Sequence, residues 1–366
     1  MERLSPIKFI AFYLPQFHEI EENNRWWGPG FTEWTNTRRA QPIFKGHRQP
    51  RVPLNNNYYD LSTIEPLKHQ AKLAQRYGIY GFCFYHYWFN GKLLLEKPAE
   101  NLLQHKDIQI NFCFSWANEP WTRTWSGKGN EVLMPQNYGD KDDWIRHFNY
   151  LLPFFQDERY IKVDGQPMFL IYKSKSIENC KEMMETWIEL ANQHGMPGIH
   201  FVETLRDASP DSRTLPFSAK VEFEPARSFN NDYVSLNIKR IRRLVIRTLN
   251  KLFGTSIPYY AVIRFKNIAD KSLRKISSKG TYGGVFVGWD NTPRRGIEGL
   301  VVTEATKEEF KNYLRQKIKI VRNIYQTSYI FVNAWNEWCE GAYLEPDTVN
   351  QYRYLEAIQE VLNENL

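Results

Sequence analysis

Tyr329-Ile330-Phe331-Val332-Asn333-Ala334-Trp335-Asn336-Glu337-Trp338-Cys339-Glu340-Gly341 passes from a strand-like run straight into two carboxylates three residues apart, set among tryptophans. If the turn after the run is helical, positions i and i+3 share a face, so Glu337 and Glu340 aim at the same small volume. Two carboxylates held together beside aromatic rings do not titrate alike. The drier one keeps its proton and serves as an acid, while the better solvated one stays ionised. Cleavage of an acetal needs that division of labour. The plainer alternative is a surface pair at a helix start, where negative charge suits the helix dipole.

Apolar runs of the same kind recur upstream, each bounded by turn residues and separated by longer amphipathic stretches. Eight are present, at 7–13, 79–85, 109–115, 167–172, 198–203, 219–223, 284–289 and 329–335. Parallel strands buried on both faces look like this in sequence. Helical spacing falls between them at 64–76, 142–155, 176–194 and 307–325. Eight strands alternating with helices over 366 residues predict an α/β fold, a (β/α)₈ TIM barrel. The whole of 1–366 reads as one catalytic domain, with the excess length in βα-loop insertions at 14–61, 116–140 and 224–279. The segment 207–215, rich in Ser, Pro and Asp, reads as a flexible loop. An open doubly wound sheet would want a glycine-rich phosphate loop after the first strand, where Leu14-Pro15-Gln16-Phe17-His18 stands instead.

A barrel presents its catalytic groups at the C-terminal ends of its strands. The first run ends in Tyr13, Gln16 and His18, the second in His86 and Trp88, and the third in Trp116, Asn118, Glu119 and Trp121. Later runs end in Tyr172, Glu203, Glu222, Glu224, Trp289 and Asp290, and the last in Trp335, Asn336, Glu337 and Glu340. The set predicts a polar, ring-lined pocket. Tyr13, His86, Trp88, Trp116, Asn118, Glu119, Trp289, Asp290, Trp335 and Asn336 are its substrate-binding candidates. Taken singly, each has an ordinary reading as a helix cap or a core roof. Glu119 with Glu337 is a competing catalytic pair, because carboxyls about 5–5.5 Å apart suit covalent retention and about 6.5–9.5 Å leave room for an inverting water.

Aromatic residues make up 15% of the chain, and many of the 12 Trp stand beside polar residues, as flat faces for sugars do. The formal charge is +7, but basic and acidic residues intermingle almost everywhere, which argues against nucleic acid, while the rings beside carboxylates and amides suit an oligosaccharide or polysaccharide partner. The exception is the basic helix 238–253, where Ile238, Ile241, Leu244, Val245, Leu249 and Leu252 keep helical spacing among Lys and Arg. It reads either as an outer helix with a solvated face or as a contact with a membrane leaflet carrying lipid-linked substrate. Cys83, Cys113, Cys180 and Cys339 show no C-x-x-C spacing and read as reduced thiols. No zinc motif, dinucleotide fingerprint, P-loop or serine elbow appears, so neither metal nor cofactor is expected. The first residues lack a secretory pattern, and no run is long enough to span a bilayer, which predicts a soluble, cytoplasmic protein.

Long motifs carry a family resemblance. Ala11-Phe12-Tyr13-Leu14-Pro15-Gln16-Phe17-His18, Trp26-Trp27-Gly28-Pro29-Gly30-Phe31-Thr32-Glu33-Trp34-Thr35-Asn36 and Gly81-Phe82-Cys83-Phe84-Tyr85-His86-Tyr87-Trp88-Phe89 are three of them. Trp116-Ala117-Asn118-Glu119-Pro120-Trp121-Thr122-Arg123 and Asn336-Glu337-Trp338-Cys339-Glu340-Gly341-Ala342-Tyr343-Leu344-Glu345-Pro346-Asp347 are the others. Together they resemble the WbsX-type family of O-antigen and capsule gene clusters, often described as glycosyltransferases and related to glycoside hydrolase family 99. The resemblance implies a (β/α)₈ barrel that cleaves α-mannosidic linkages internally with retention. It implies that Glu337 deprotonates the sugar's own 2-hydroxyl, which attacks the anomeric carbon to give a 1,2-anhydro sugar, while Glu340 protonates the leaving oxygen. Glu119 then becomes a substrate-binding carboxylate. Cys339 departs from the His usual in those hydrolases and leaves both carboxylates in place. Two activities follow: a retaining glycoside hydrolase or transglycosidase on a bacterial surface polysaccharide or its lipid-linked precursor, or a glycosyltransferase using a nucleotide sugar. A non-catalytic glycan-binding scaffold would be expected to lack one of the two Glu.

Overall fold

A computed structural model of the chain describes residues 6–123, 131–206, 211–229, 233–254 and 261–364. Eight strands form the barrel: β1 (Lys8–Tyr13), β2 (Ile79–Phe89), β3 (Asn111–Trp116), β4 (Gln166–Ile171), β5 (His200–Leu205), β6 (Ala219–Glu222), β7 (Thr281–Phe286) and β8 (Tyr329–Asn333). Each pairs in parallel with the next, and β8 pairs with β1, so the sheet closes. This is the (β/α)₈ TIM barrel that the alternation of runs predicts.

Six of the eight strands lie within two residues of the apolar runs at either end, and two depart further. The second run continues four residues beyond 85, to Phe89. The seventh run was expected at 284–289, yet β7 ends at Phe286, and Trp289–Asp290 pairs antiparallel with Leu300–Val302 outside the barrel. The shift follows from the glycines. A Cβ on Gly284 would sit 2.0 Å from the Glu222 carbonyl of β6, so this residue belongs inside a strand that closely approaches its neighbour.

Around the barrel stand α1 (Glu65–Arg76), α2 (Lys97–Gln104), α3 (Lys141–Gln156), α4 (Cys180–Gln193), α5 (Phe265–Arg274), α6 (Lys307–Ile320) and α7 (Arg353–Asn363). Asp140 caps α3 by accepting from the Asp143 amide, and Thr306 with Glu309 forms a capping box at α6. The insertion after β1 holds short helices, that after β3 a short antiparallel pair, and that after β6 the long helix Tyr233–Phe253. Of the expected loop at 207–215, residues 207–210 lie outside the described residues.

Side chains alternate along each strand between the barrel interior and the helical layer. Phe12 points inward and meets Tyr85, Phe223 and Phe331, with ring centroids 5.1–5.7 Å away. Its neighbour Tyr13 points outward and donates to Gln70 of α1 at 2.7 Å.

Glu222, at the end of β6, is buried against α6. It accepts from Lys317 Nζ at 2.7 Å and Tyr325 Oη at 2.6 Å, and pairs with Arg227 at 2.9 Å. Burial alone would raise its carboxyl, but Lys317 and Arg227 outweigh burial and hold it below the usual range. Lys317→Met is therefore expected to cost about 3–5 kcal/mol, because it strips one partner from a fully buried ion pair. Urea unfolding at neutral pH checks this.

Candidate active site

The turn after β8 sets the two carboxylates. Asn336–Glu337 pairs antiparallel with Ala342–Tyr343, and Trp338–Glu340 forms one 3₁₀ turn that starts directly after Glu337, so the strand end and the turn together place the two acids. Gly341 closes the turn at φ +59°, where a Cβ would fall 2.9 Å from Asp290 and 3.0 Å from Arg51. Asn336 stitches the turn to the exit of β1. Its amide oxygen accepts from the Leu14 N–H at 2.8 Å, and its NH₂ donates to the Leu14 carbonyl at 3.0 Å.

From behind, Glu345 accepts four hydrogen bonds, from Trp335 and Trp338 in the turn and from Tyr59 and Gln70 beyond it, at 2.7–3.1 Å. Burial pushes its carboxyl up to about 7 even though all four donors oppose that. The indole rings of Trp335 and Trp338 are thereby fixed.

Glu337 and Glu340 both line a cavity of about 660 Å³ at the C-terminal mouth of the barrel. Its walls include Tyr85, Tyr87, Trp121, Tyr172, Phe223 and Trp289. Arg294 organises the acids: it donates to Glu340 at 2.8 Å and to the fully buried Glu33 at 2.6 Å, and stands 3.6 Å from Glu337. The Oε2 of Glu337 is buried with no hydrogen-bond partner among the described residues. Burial, then the charge of Glu340, drives the Glu337 carboxyl well above its ordinary value. Burial raises Glu340 too, but its contact with Arg294 works against the rise. Of the two, Glu337 is therefore the more basic carboxylate.

Three comparisons give this architecture a context. The sequence pattern of the family described as "Glycosyltransferase WbsX" matches residues 9–358. The chain belongs to the WbsX family. Two curated relatives of this WbsX chain, both described as "Uncharacterized protein WxcX" and from two strains of Xanthomonas campestris pv. campestris, are 36% identical over 360 residues. These cover 98% of the chain, which spans about half the length of the relatives. Among solved structures, a GH99 endo-alpha-mannosidase from Bacteroides thetaiotaomicron in complex with bis-tris-propane superposes with a TM-score of 0.58 at 16% identity. That match covers 97% of this chain and 96% of the other. A structure described as a glycoside hydrolase-like protein gives 0.60 at 10% identity, covering 99% and 95%. Likeness at this identity establishes a shared fold.

Of the substrate-binding candidates, Glu119 and Trp289 line the cavity of this WbsX barrel. Glu119 accepts from Arg206 at 2.9 Å and Lys173 at 3.3 Å, and Trp289 meets Phe229 edge-on. The other eight are not among the residues that line it. His86 and Trp88 alternate with Tyr85 and Tyr87 and point outward to α3. The His86 Nε2 lies 2.7 Å from His147 Nε2, and Trp88 donates to Asp143 at 3.1 Å. Burial brings the His86 imidazole down to about 3, so it stays neutral. Trp116 meets His147 edge-on and donates to the Trp88 carbonyl. Tyr13 and Trp335 face the Gln70–Glu345 network, and Asp290 is held by His47, Gln49 and Thr292. Asn118 clamps β3 to β4 through paired bonds with the Lys173 backbone, as Asn336 clamps β8 to β1.

Sequence reasoning missed Tyr85, Tyr87, Arg206 and Arg294 as wall residues. Strand parity could have flagged the tyrosines once one inward position was known. Among the described residues, no group of three His, Cys, Asp or Glu side chains is placed to hold a metal ion.

Proposed function

We propose that this WbsX-family chain is a retaining carbohydrate-active enzyme of the glycosidase type. It hydrolyses or transfers a glycosidic bond in a bacterial surface polysaccharide or its lipid-linked precursor, with Glu337 and Glu340 as the catalytic pair. The observation that carries this reading is a strand end and the 3₁₀ turn after it delivering two carboxylates of unequal basicity, linked through Arg294, into a cavity walled by aromatic rings.

The inequality suits participation by the substrate's own 2-hydroxyl. Glu337, the more basic carboxylate, is the better proton acceptor when ionised, and Glu340, eased toward ionisation by Arg294, is the better donor when protonated. In the first step Glu337 takes the proton from O2, O2 closes on C1, and Glu340 gives its proton to the departing oxygen. In the second, Glu340 removes a proton from water or an acceptor hydroxyl as that oxygen opens the anhydro ring at C1, and Glu337 returns its proton to O2. Two inversions leave the anomer unchanged. Backside closure requires O2 trans to the leaving group and both axial, which favours α-manno- and α-rhamno-configured sugars. Glu119, balanced by Arg206 and Lys173, binds hydroxyls away from the bond being cleaved.

The description of the family supports a second reading, transfer from a nucleotide sugar. Aryl α-glycosides, lipid-linked oligosaccharides and sugar nucleotides offered side by side, with the first-formed anomer read by NMR, separate the two. The expected result is turnover of a glycoside with the anomer retained. An inverted first product, or turnover of sugar nucleotides alone, would exclude the proposed mechanism.

A further inference from the structure

The insertion after β6 carries a feature that catalysis does not use. Ala226 and Phe229 line the cavity, and the helix Tyr233–Phe253 begins four residues later. The helix exposes Ile241, Leu244, Val245, Leu252 and Phe253 by 50–70% each. These are five of the eleven large apolar side chains exposed among the described residues, gathered on one helix. At about 100° per residue, Ile241, Leu244, Val245 and Leu252 fall within about one quarter-turn of the helix surface. Ile246 and Asn250, about half a turn round, and Leu249, at the stripe's edge, are half-buried, so the apolar stripe looks away from the protein. Exposed Arg247 and Lys251 run beside it, and the helix sequence carries six Lys and Arg with no Asp or Glu.

We propose that this helix docks on an anionic membrane surface, with the apolar stripe set into the headgroup boundary and the basic residues on lipid phosphates. Charge complementarity selects this occupant: an all-basic helix suits a negative leaflet, and the apolar stripe adds the second signal that stable surface binding needs. Nucleic acid would use the charge but leave the apolar stripe in water. No described helix is long and apolar enough to cross a membrane, so the contact is peripheral. Docking brings the loop that walls the cavity to the surface where lipid-linked glycans reside. The contact is independent of the chemistry proposed for Glu337 and Glu340.

Flotation of the 366-residue chain with vesicles tests it. Wild type is expected to float with phosphatidylcholine vesicles containing phosphatidylglycerol, to stay behind with pure phosphatidylcholine, and to release as salt rises. Two variants, Ile241→Ser with Leu244→Ser and Leu252→Ser, and Arg247→Glu with Lys251→Glu, are each expected to lose at least about tenfold in vesicle partition, with circular dichroism and melting temperature unchanged. The proposal fails if wild type does not float, or if both variants float as it does. It also fails if the apolar variant only converts a dimer to a monomer in sedimentation, which would assign the stripe to a second copy of the chain.

Discussion

Glu340→Gln is expected to lower kcat on a substrate with a sugar leaving group by about 10²–10⁴-fold, the usual contribution of a positioned general acid. An aryl glycoside with an acidic phenol should recover most of that loss, because a phenolate departs without protonation. Glu337→Gln is expected to fall by a similar factor on both substrates, since activation of O2 is needed whatever leaves. Binding of an unreactive glycan should persist in both, because each change keeps the size and planarity of the side chain. The split rests on the shared turn, which gives the two residues one approach to the sugar but unequal surroundings. Glu340 touches Arg294 at 2.8 Å, whereas the buried Oε2 of Glu337 lies 3.6 Å from it. Steady-state kinetics on the two substrate types measures the split. Near-wild-type rates from either variant on the sugar-leaving substrate would remove the mechanism, and leaving-group rescue of Glu337→Gln would exchange the two roles.

Arg294→Met is expected to move both limbs of the bell-shaped pH profile of kcat/KM to higher pH, by about one to three pH units. The sign follows from the charges. Arg294 is the cation among Glu33, Glu337 and Glu340, and with it gone every ionisation of the pair must create negative charge beside uncompensated carboxylates. Both macroscopic pKa values of the pair therefore rise, and so do both limbs. The same change removes one partner from the buried ion pair with Glu33, so about 3–5 kcal/mol of stability should be lost. Arg294→Lys keeps the charge without the planar fork and should shift the profile less. A merely structural role for Arg294 would lower stability and leave the limbs where they were. That outcome, or a downward shift, counts against the assignment.

The architecture was readable because buried parallel strands announce themselves as short apolar runs, and most of the eight runs mark barrel strands closely. The seventh was placed three residues late because its apolar stretch reads from Gly284 onward, whereas the β6–β7 approach puts Gly283 and Gly284 in the middle of the strand. That Glu337 and Glu340 reach one cavity was readable because only one tight turn separates them in sequence. The walls were not. β2 is aromatic on both faces, so nothing in Tyr85-His86-Tyr87-Trp88 reveals whether odd or even residues face the cavity, and polar chemistry drew attention to the outward His86 and Trp88. Arg294 was invisible for another reason. Its partner Glu33 is 261 residues away, and only closure of the barrel brings them together.

The bonds between Asn336 and Leu14 span 322 positions of sequence. They fix an order of events during synthesis. While the ribosome is still making the eighth strand, the first has no second neighbour and the two acids after the eighth have not been made. The cavity's floor and both of these side chains arrive together, with the last staple of the staves.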